Sequence, residues 1–143
     1  MKQWYLDFNY NKKGRGVLRL HNDSIIPFDI EARTGSINTD GKLVNPITPG
    51  DWTGRAVPVE TTEPGMIWEG WDVGWKWRLW TPEGVWSRYL IHPDGDGKGK
   101  GNSGNGTLGC IGTQGQAEEL RERLDWIMPK QEIVPVYINQ PIP

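Results

Sequence analysis

Nineteen glycines and eleven prolines break this chain so often that it leaves room for little helix. Glycine reaches backbone angles that other residues avoid, and proline ends helices and central strands, so both mark turns. The short apolar runs between such breaks read as β-strands. At 143 residues the chain is long enough for one domain, spanning 1–143, with a real hydrophobic core. Nine tryptophans supply much core area per residue. The expected fold is a mainly β domain, either two packed sheets (a β-sandwich) or a flattened barrel, with one amphipathic helix near the C-terminus.

Trp4 to Tyr10 alternates and reads as a strand. Asn11-Lys12-Lys13-Gly14 turns it, and Gly16 to His21 returns as a hairpin partner. Ile25 to Glu31 reads as a third strand. Thr34 to Thr53 reads mostly as loop and contains the stiff stretch Asn45-Pro46-Ile47-Thr48-Pro49-Gly50. Arg55 to Glu60 reads as a short strand, and Thr61 to Gly74 as irregular. Trp75 to Thr81, the turn Pro82-Glu83-Gly84, and Val85 to His92 form the clearest hairpin. On its second strand Trp86, Arg88, Leu90 and His92 share a face. Pro93 to Gly109 reads as a long glycine-laden loop. Gln116 to Met128 is the helix, with Ala117, Leu120, Leu124 and Ile127 as its apolar stripe. Thr113 and Gln116 stand at capping-box spacing, and Pro129 is the stop. Ile133 to Ile138 reads as the last strand, in which Pro135 points to an edge or a bulge.

Charge and composition exclude several classes. The net charge of −2, with both signs interspersed, argues against nucleic acid as the main partner. No stretch approaches the ~18 apolar residues of a membrane span. The start, Met1-Lys2-Gln3-Trp4-Tyr5-Leu6-Asp7, has no apolar signal-peptide core. Asp94-Gly95-Asp96-Gly97-Lys98-Gly99 hints at a calcium loop, but Lys98 and Asn105 stand where oxygen ligands belong, so no metal is expected.

The one cysteine, Cys110, lies in Gly106-Thr107-Leu108-Gly109-Cys110-Ile111-Gly112, eighteen positions after His92. A lone thiol makes no internal disulfide. Attack on an acyl carbon needs a thiolate, a base that takes and returns the proton, and donors for the oxyanion. If His92 folds back to Cys110, the first two are present. Glycines at 106 and 109 would let backbone N–H groups approach a substrate oxygen, and the N-terminus of the following helix would add positive potential if aimed at the sulfur. The other histidine, His21, sits at a hairpin end and reads as a hydrogen-bonded surface residue.

The order Tyr89-Leu90-Ile91-His92, glycine-rich loop, Thr107-Leu108-Gly109-Cys110-Ile111, helix and final strand resembles the L,D-transpeptidase (YkuD-like) catalytic domain. The match is strongest over Trp75 to Ile138. Upstream, Gly35 through Pro46-Ile47-Thr48-Pro49-Gly50-Asp51-Trp52 is similar to a divergent branch of that family that includes short cell-wall-targeting proteins. The resemblance implies Cys110 as nucleophile and His92 as general base, with a backbone carbonyl orienting the imidazole. Gly109 and Cys110 would supply oxyanion N–H groups, and Thr107 would brace the loop. The implied substrate is the peptide stem of bacterial peptidoglycan. The thiol would attack the carbonyl of the diamino-acid L-centre, expel D-alanine, and pass the acyl group to an amine or to water. No cofactor is implied.

Three positions depart from the family pattern. Gly112 stands where G-C-x-R places an arginine, Leu108 replaces a frequent histidine, and Pro93 rather than glycine follows His92. Arg88, on the His92 face, is the first candidate for the missing cation, and Arg78 on the paired strand the second. A small enzyme without a signal suits wall degradation: a phage endolysin or an injected antibacterial effector, made in the cytoplasm and acting on the periplasmic wall after lysis, release or injection. Carboxypeptidase or endopeptidase action is expected over ligation. The competing reading is a non-catalytic cell-wall or glycan-binding module on a degenerate enzyme fold. In that case the six tryptophans from Trp68 to Trp86 would stack on sugar rings.

Overall fold

Strands dominate the computed structural model, which describes residues 3–23, 26–55, 60–61, 67–68, 71–72, 75–93, 106–127 and 129–140. In chain order the elements are β1 (Tyr5–Tyr10), β2 (Arg15–His21), β3 (Phe28–Ile37), β4 (Leu43–Val44), β5 (Gly50–Arg55), β6 (Glu60–Thr61), β7 (Ile67–Trp68), β8 (Trp71–Asp72), β9 (Trp75–Trp80), β10 (Trp86–Pro93), β11 (Gly106–Thr113), α1 (Ala117–Ile127) and β12 (Ile133–Asn139). Eight strands close into a ring in the order β10, β11, β3, β2, β1, β12, β5, β9, with β9 pairing back onto β10. Of the two expected forms, the chain therefore adopts the barrel. Closure leaves no long open edge in that ring. The β1–β12 and β10–β11 pairs are parallel, and the other pairs in the ring are antiparallel. Short strands β4 and β6 extend β3 and β9, and β7 pairs with β8.

Period-two alternation builds the core. Leu6, Phe8 and Tyr10 point inward from β1, while Asp7 and Asn9 point away. Leu6 pairs with Leu20 on one side and Val136 on the other; Phe8 pairs likewise with Leu18 and Ile138. Farther round the ring, Trp77, Ile91, Ile111 and Thr34 sit opposite one another across four strands and are all buried. The Trp77 indole lies directly against Gly54, where a Cβ would run into the ring. Only glycine fits there.

The stretch after Thr34 is more ordered than its composition indicates. Strand β3 runs on to Ile37, and β4 and β5 fall in what reads as loop. The stiff Pro-rich segment drops Ile47 into the core. The Thr34 hydroxyl accepts from the Ile47 N–H at 2.8 Å, and the Tyr10 hydroxyl donates to the Ile47 carbonyl at 2.8 Å. Both backbone groups of this buried residue are thus satisfied. Strand β12 is interior to the sheet, not an edge. Its parallel ladder with β1 runs from Val136, so the missing N–H of Pro135 falls outside that ladder.

Helix α1 begins one residue later than expected and has a different cap. Thr113 belongs to β11 and is buried, so it forms no capping box. Gln116, at a φ of 49°, accepts the first helical bond from Leu120 N–H, and its side chain meets Glu119 at 3.3 Å. Leu120, Leu124 and Ile127 join the barrel core.

Candidate active site

Cys110 lies on strand β11 rather than on a loop leading into the helix. That strand runs parallel to β10, with Ile91 opposite Ile111, His92 opposite Gly112 and Pro93 opposite Thr113. Cys110 is therefore two residues along β11 from the partner of His92. A strand spacing of ~4.8 Å and a rise of ~3.3 Å per residue put their Cα atoms about 8 Å apart. The pairing of β10 with β11 thus brings the backbones of His92 and Cys110 to neighbouring positions. A register shift on the β3 side between Gly106 and Ile111 marks a bulge that contains the Thr107–Cys110 stretch. Bulges take backbone groups out of the regular ladder.

The imidazole of His92 is 2% exposed, and its Nδ1 lies 2.7 Å from the Pro93 carbonyl oxygen. A carbonyl only accepts, so the ring proton sits on Nδ1 and the basic lone pair on Nε2. The Thr113 hydroxyl contacts the His92 carbonyl at 3.4 Å and ties β11 to β10 at this level. The backbone carbonyl that meets the imidazole is thus on the residue next to it. Sequence could not locate it, because backbone geometry carries no side-chain signal.

Burial sets the electrostatics of the pair. It pushes the Cys110 thiol above its ordinary pKa, against a backbone hydrogen bond from Leu90 and the positive charge of Arg78. It holds His92 below the usual histidine value, against the Pro93 hydrogen bond. At neutral pH the two groups rest as thiol and imidazole rather than as an ion pair. Residues 111–116 stand between Cys110 and the start of α1 in the chain.

Of the two arginines considered from sequence, Arg78 is the one near the sulfur. Its Nη1 donates to the Ser87 carbonyl at 3.0 Å, and its guanidinium lies 4.3 Å from the centre of the exposed Trp86 ring. Arg88 is exposed and makes no hydrogen bond or ion pair to the described residues. A third cation escaped sequence reasoning: Arg33 pairs with Gly112 from the β3 side, so His92, Gly112 and Arg33 lie in a row across three strands. Nothing local in the sequence links residue 33 to residue 92.

Gly109 and the backbone of Thr107 belong to β11, while the Thr107 side chain lies outside what is described, as do residues 94–105 with the calcium-like run. Of the six clustered tryptophans, Trp77 is buried, Trp86 is exposed and Trp80 is intermediate; the side chains of Trp68, Trp71 and Trp75 lie outside the described set. Among the described residues no three His, Cys, Asp or Glu side chains group as metal ligands. His21 is held structurally, with Nε2 2.7 Å from Asp7 Oδ2 and its ring 4.0 Å from that of Tyr5.

No family model matches the chain. No curated protein sequence matches it either. Among solved structures, an L,D-transpeptidase from Mycobacterium smegmatis is similar in fold, at 15% identity and a TM-score of 0.48. The alignment covers 95% of this chain and 59% of that one, so the chain spans about three fifths of that protein's length.

Proposed function

We propose that this chain is a cysteine-dependent enzyme that cuts peptide stems of bacterial peptidoglycan. The observation that carries the reading is the adjacency of His92 and Cys110 on parallel strands, with Nδ1 locked to the Pro93 carbonyl. A buried thiol and a neutral imidazole with its lone pair on Nε2 suit general-base activation at the moment of attack.

The Cys110 sulfur bonds to the stem carbonyl carbon as its proton passes to His92 Nε2. The N–H groups of Gly109 and Cys110 receive the oxyanion. Collapse breaks the C–N bond, and His92 returns the proton to the leaving amine. Water then adds to the thioester, its proton travelling through His92 to the sulfur. Our candidates to hold a stem carboxylate are Arg78, whose charge acts on the Cys110 thiol, and Arg33, which pairs with Gly112. We favour water over an amine as acceptor because Gly112 stands where the resemblance places an arginine. A wall-degrading protein, such as an endolysin or an antibacterial effector, is the setting that fits such an activity.

The thiol's burial and raised pKa favour a second reading, a wall-binding module whose enzyme site is inert. Digestion of Gram-negative sacculi with the wild type and Cys110→Ala, followed by mass spectrometry of the muropeptides, decides between them. Cysteine-dependent loss of D-alanine or opening of stem cross-links is expected. Sacculi left intact by both proteins, yet bound by both, establish the second reading instead.

A further inference from the structure

Away from His92 and Cys110, helix α1 and the barrel frame a groove of about 400 Å³ lined by Trp4, Leu20, Glu119, Glu122, Arg123, Trp126 and Ile127. That size falls in the ~300–1,000 Å³ range of small-ligand sites. Trp126 is 54% exposed at the groove, whereas Trp4 is almost fully buried. A large apolar ring left open to water is a cost the fold has not removed.

The ring is held in place. Trp126 meets the Trp4 ring edge-on, with centroids 6.1 Å apart and planes at 85°. The Lys130 ammonium sits 3.9 Å from the Trp126 ring centre and donates to the Trp126 carbonyl at 2.9 Å. Arg123 is similarly anchored, its guanidinium 4.3 Å from the Phe28 ring centre. A ligand meeting pre-set rings loses less entropy on binding.

The chemistry of the lining selects among ligands. Its floor is apolar and aromatic. Its rim carries two carboxylates, Glu119 and Glu122, which accept hydrogen bonds only. A lipid chain would cover these carboxylates without pairing them, at a desolvation cost. Nucleic-acid phosphates would meet these carboxylates as well as the Arg123 guanidinium, so the rim offers a phosphate chain no uniformly positive face. A pyranose ring satisfies both parts, with C–H groups on a flat face for the indole and hydroxyl donors around its edge for the carboxylates.

We propose that the Trp4–Trp126 groove binds pyranose rings of a glycan chain. Under the function proposed above, which this inference rests on only for the choice of amino sugar, that chain is the glycan strand bearing the stem peptides. The groove would hold the strand while the cysteine works on a stem.

The test is NMR titration of Cys110→Ala protein with chitotetraose and, in parallel, cellotetraose, following the indole N–H signals. Saturable shifts of the Trp126 signal are expected. Trp126→Ala should weaken binding by at least about tenfold. Glu122→Gln, a milder change on an exposed side chain, should weaken it by a smaller factor. Binding of chitotetraose alone identifies an amino-sugar site, and equal binding of both identifies a site for the pyranose ring itself. Binding of neither, or binding unchanged in Trp126→Ala, overturns the inference. A protein that cuts stems but ignores both sugars loses this groove and keeps the enzyme. One that binds sugar but cuts nothing does the reverse.

Discussion

The two walls of the barrel are built differently. Around β2, β1, β12 and β5 the ladders run without a register shift, six consecutive residue pairs each for β1–β2 and β12–β5. The inward residues there are aliphatic or aromatic. Around β9, β10 and β11 the registers shift, once between Trp86 and Leu90 and once between Gly106 and Ile111. Ser87, His92, Cys110 and Thr113 are all buried on this side. Burying such groups costs free energy unless each is hydrogen-bonded, and bulges re-aim the groups that do the bonding. The regular wall is thus mainly apolar packing, whereas the irregular wall holds buried polar groups that include the Cys110 thiol and the His92 imidazole.

The sharpest way to separate the walls is to remove chemistry from one and packing from the other. On the irregular wall, Cys110→Ala should abolish cleavage of sacculi, and His92→Gln should lower its rate by about 10²–10⁴-fold, with little change in Tm for Cys110→Ala. Muropeptide release and a thermal melt on the same samples read both effects. Cleavage that survives Cys110→Ala removes the site from this wall altogether. On the regular wall, Phe8→Ala should cost about 3–5 kcal/mol through the cavity it leaves. Gly54→Ala, which drives a Cβ into Trp77, should cost about 1–3 kcal/mol. Urea denaturation measures these losses, and a cost under about 0.5 kcal/mol for Phe8→Ala would mean that this wall is not the stabilising one.

The regular wall was largely legible in the sequence. Alternation from Trp4 to Tyr10, the Asn11–Gly14 turn and the return to His21 specify the hairpin through local physics alone. Helix α1 was legible for the same reason, through the spacing of Leu120, Leu124 and Ile127. Its cap was misread because Thr113 satisfies the capping pattern locally while the β10–β11 pairing claims it for a strand. Tertiary pairing overrode turn chemistry again over Thr34–Thr53, where Ile47 is pulled into the core by Tyr10 and Thr34, far off in the chain. At the candidate site, sequence singled out Cys110 and His92 by residue type, but the row His92–Gly112–Arg33 exists only once three strands pair.

Titration tests the irregular wall by a different route. The folded-state pKa of His92 lies below its unfolded value of about 6.5, because burial disfavours the imidazolium. The unfolded chain therefore binds more protons in that range. The stability held by neutral His92 is fully present above pH ~6.5 and is lost as pH falls below it toward the folded pKa. Cys110 works in the opposite sense. Its folded pKa is raised by burial, so its contribution is present below the unfolded value of about 8.5 and fades as pH rises past it. Stability should be flat between these limits and decline on both sides. Melts across pH 5–10, ranges near these reference values, should show His92→Gln flattening the acid limb and Cys110→Ala the alkaline limb. An acid limb untouched by His92→Gln would show that other groups set it.

The smallest effect concerns Arg78, where the two walls meet along β9. Its charge draws the Cys110 pKa down, against the larger upward push of burial. Arg78→Gln removes the charge and shortens the donor that meets the Ser87 carbonyl, so a thermal melt on the same variant checks that packing at the bulge survives. The thiol pKa should rise further, and alkylation by iodoacetamide at pH 8, near the ordinary thiol value of ~8.5, should slow by a few-fold, since the thiolate is the reacting form. Arg88→Gln should leave that rate unchanged, because Arg78 is the cation whose charge acts on the thiol. Equal slowing by both variants would trace the effect to the general field of the protein rather than to the contact. Slowing by Arg78→Gln alone ties the bulge on β10 to the thiol on β11 through the Arg78 charge.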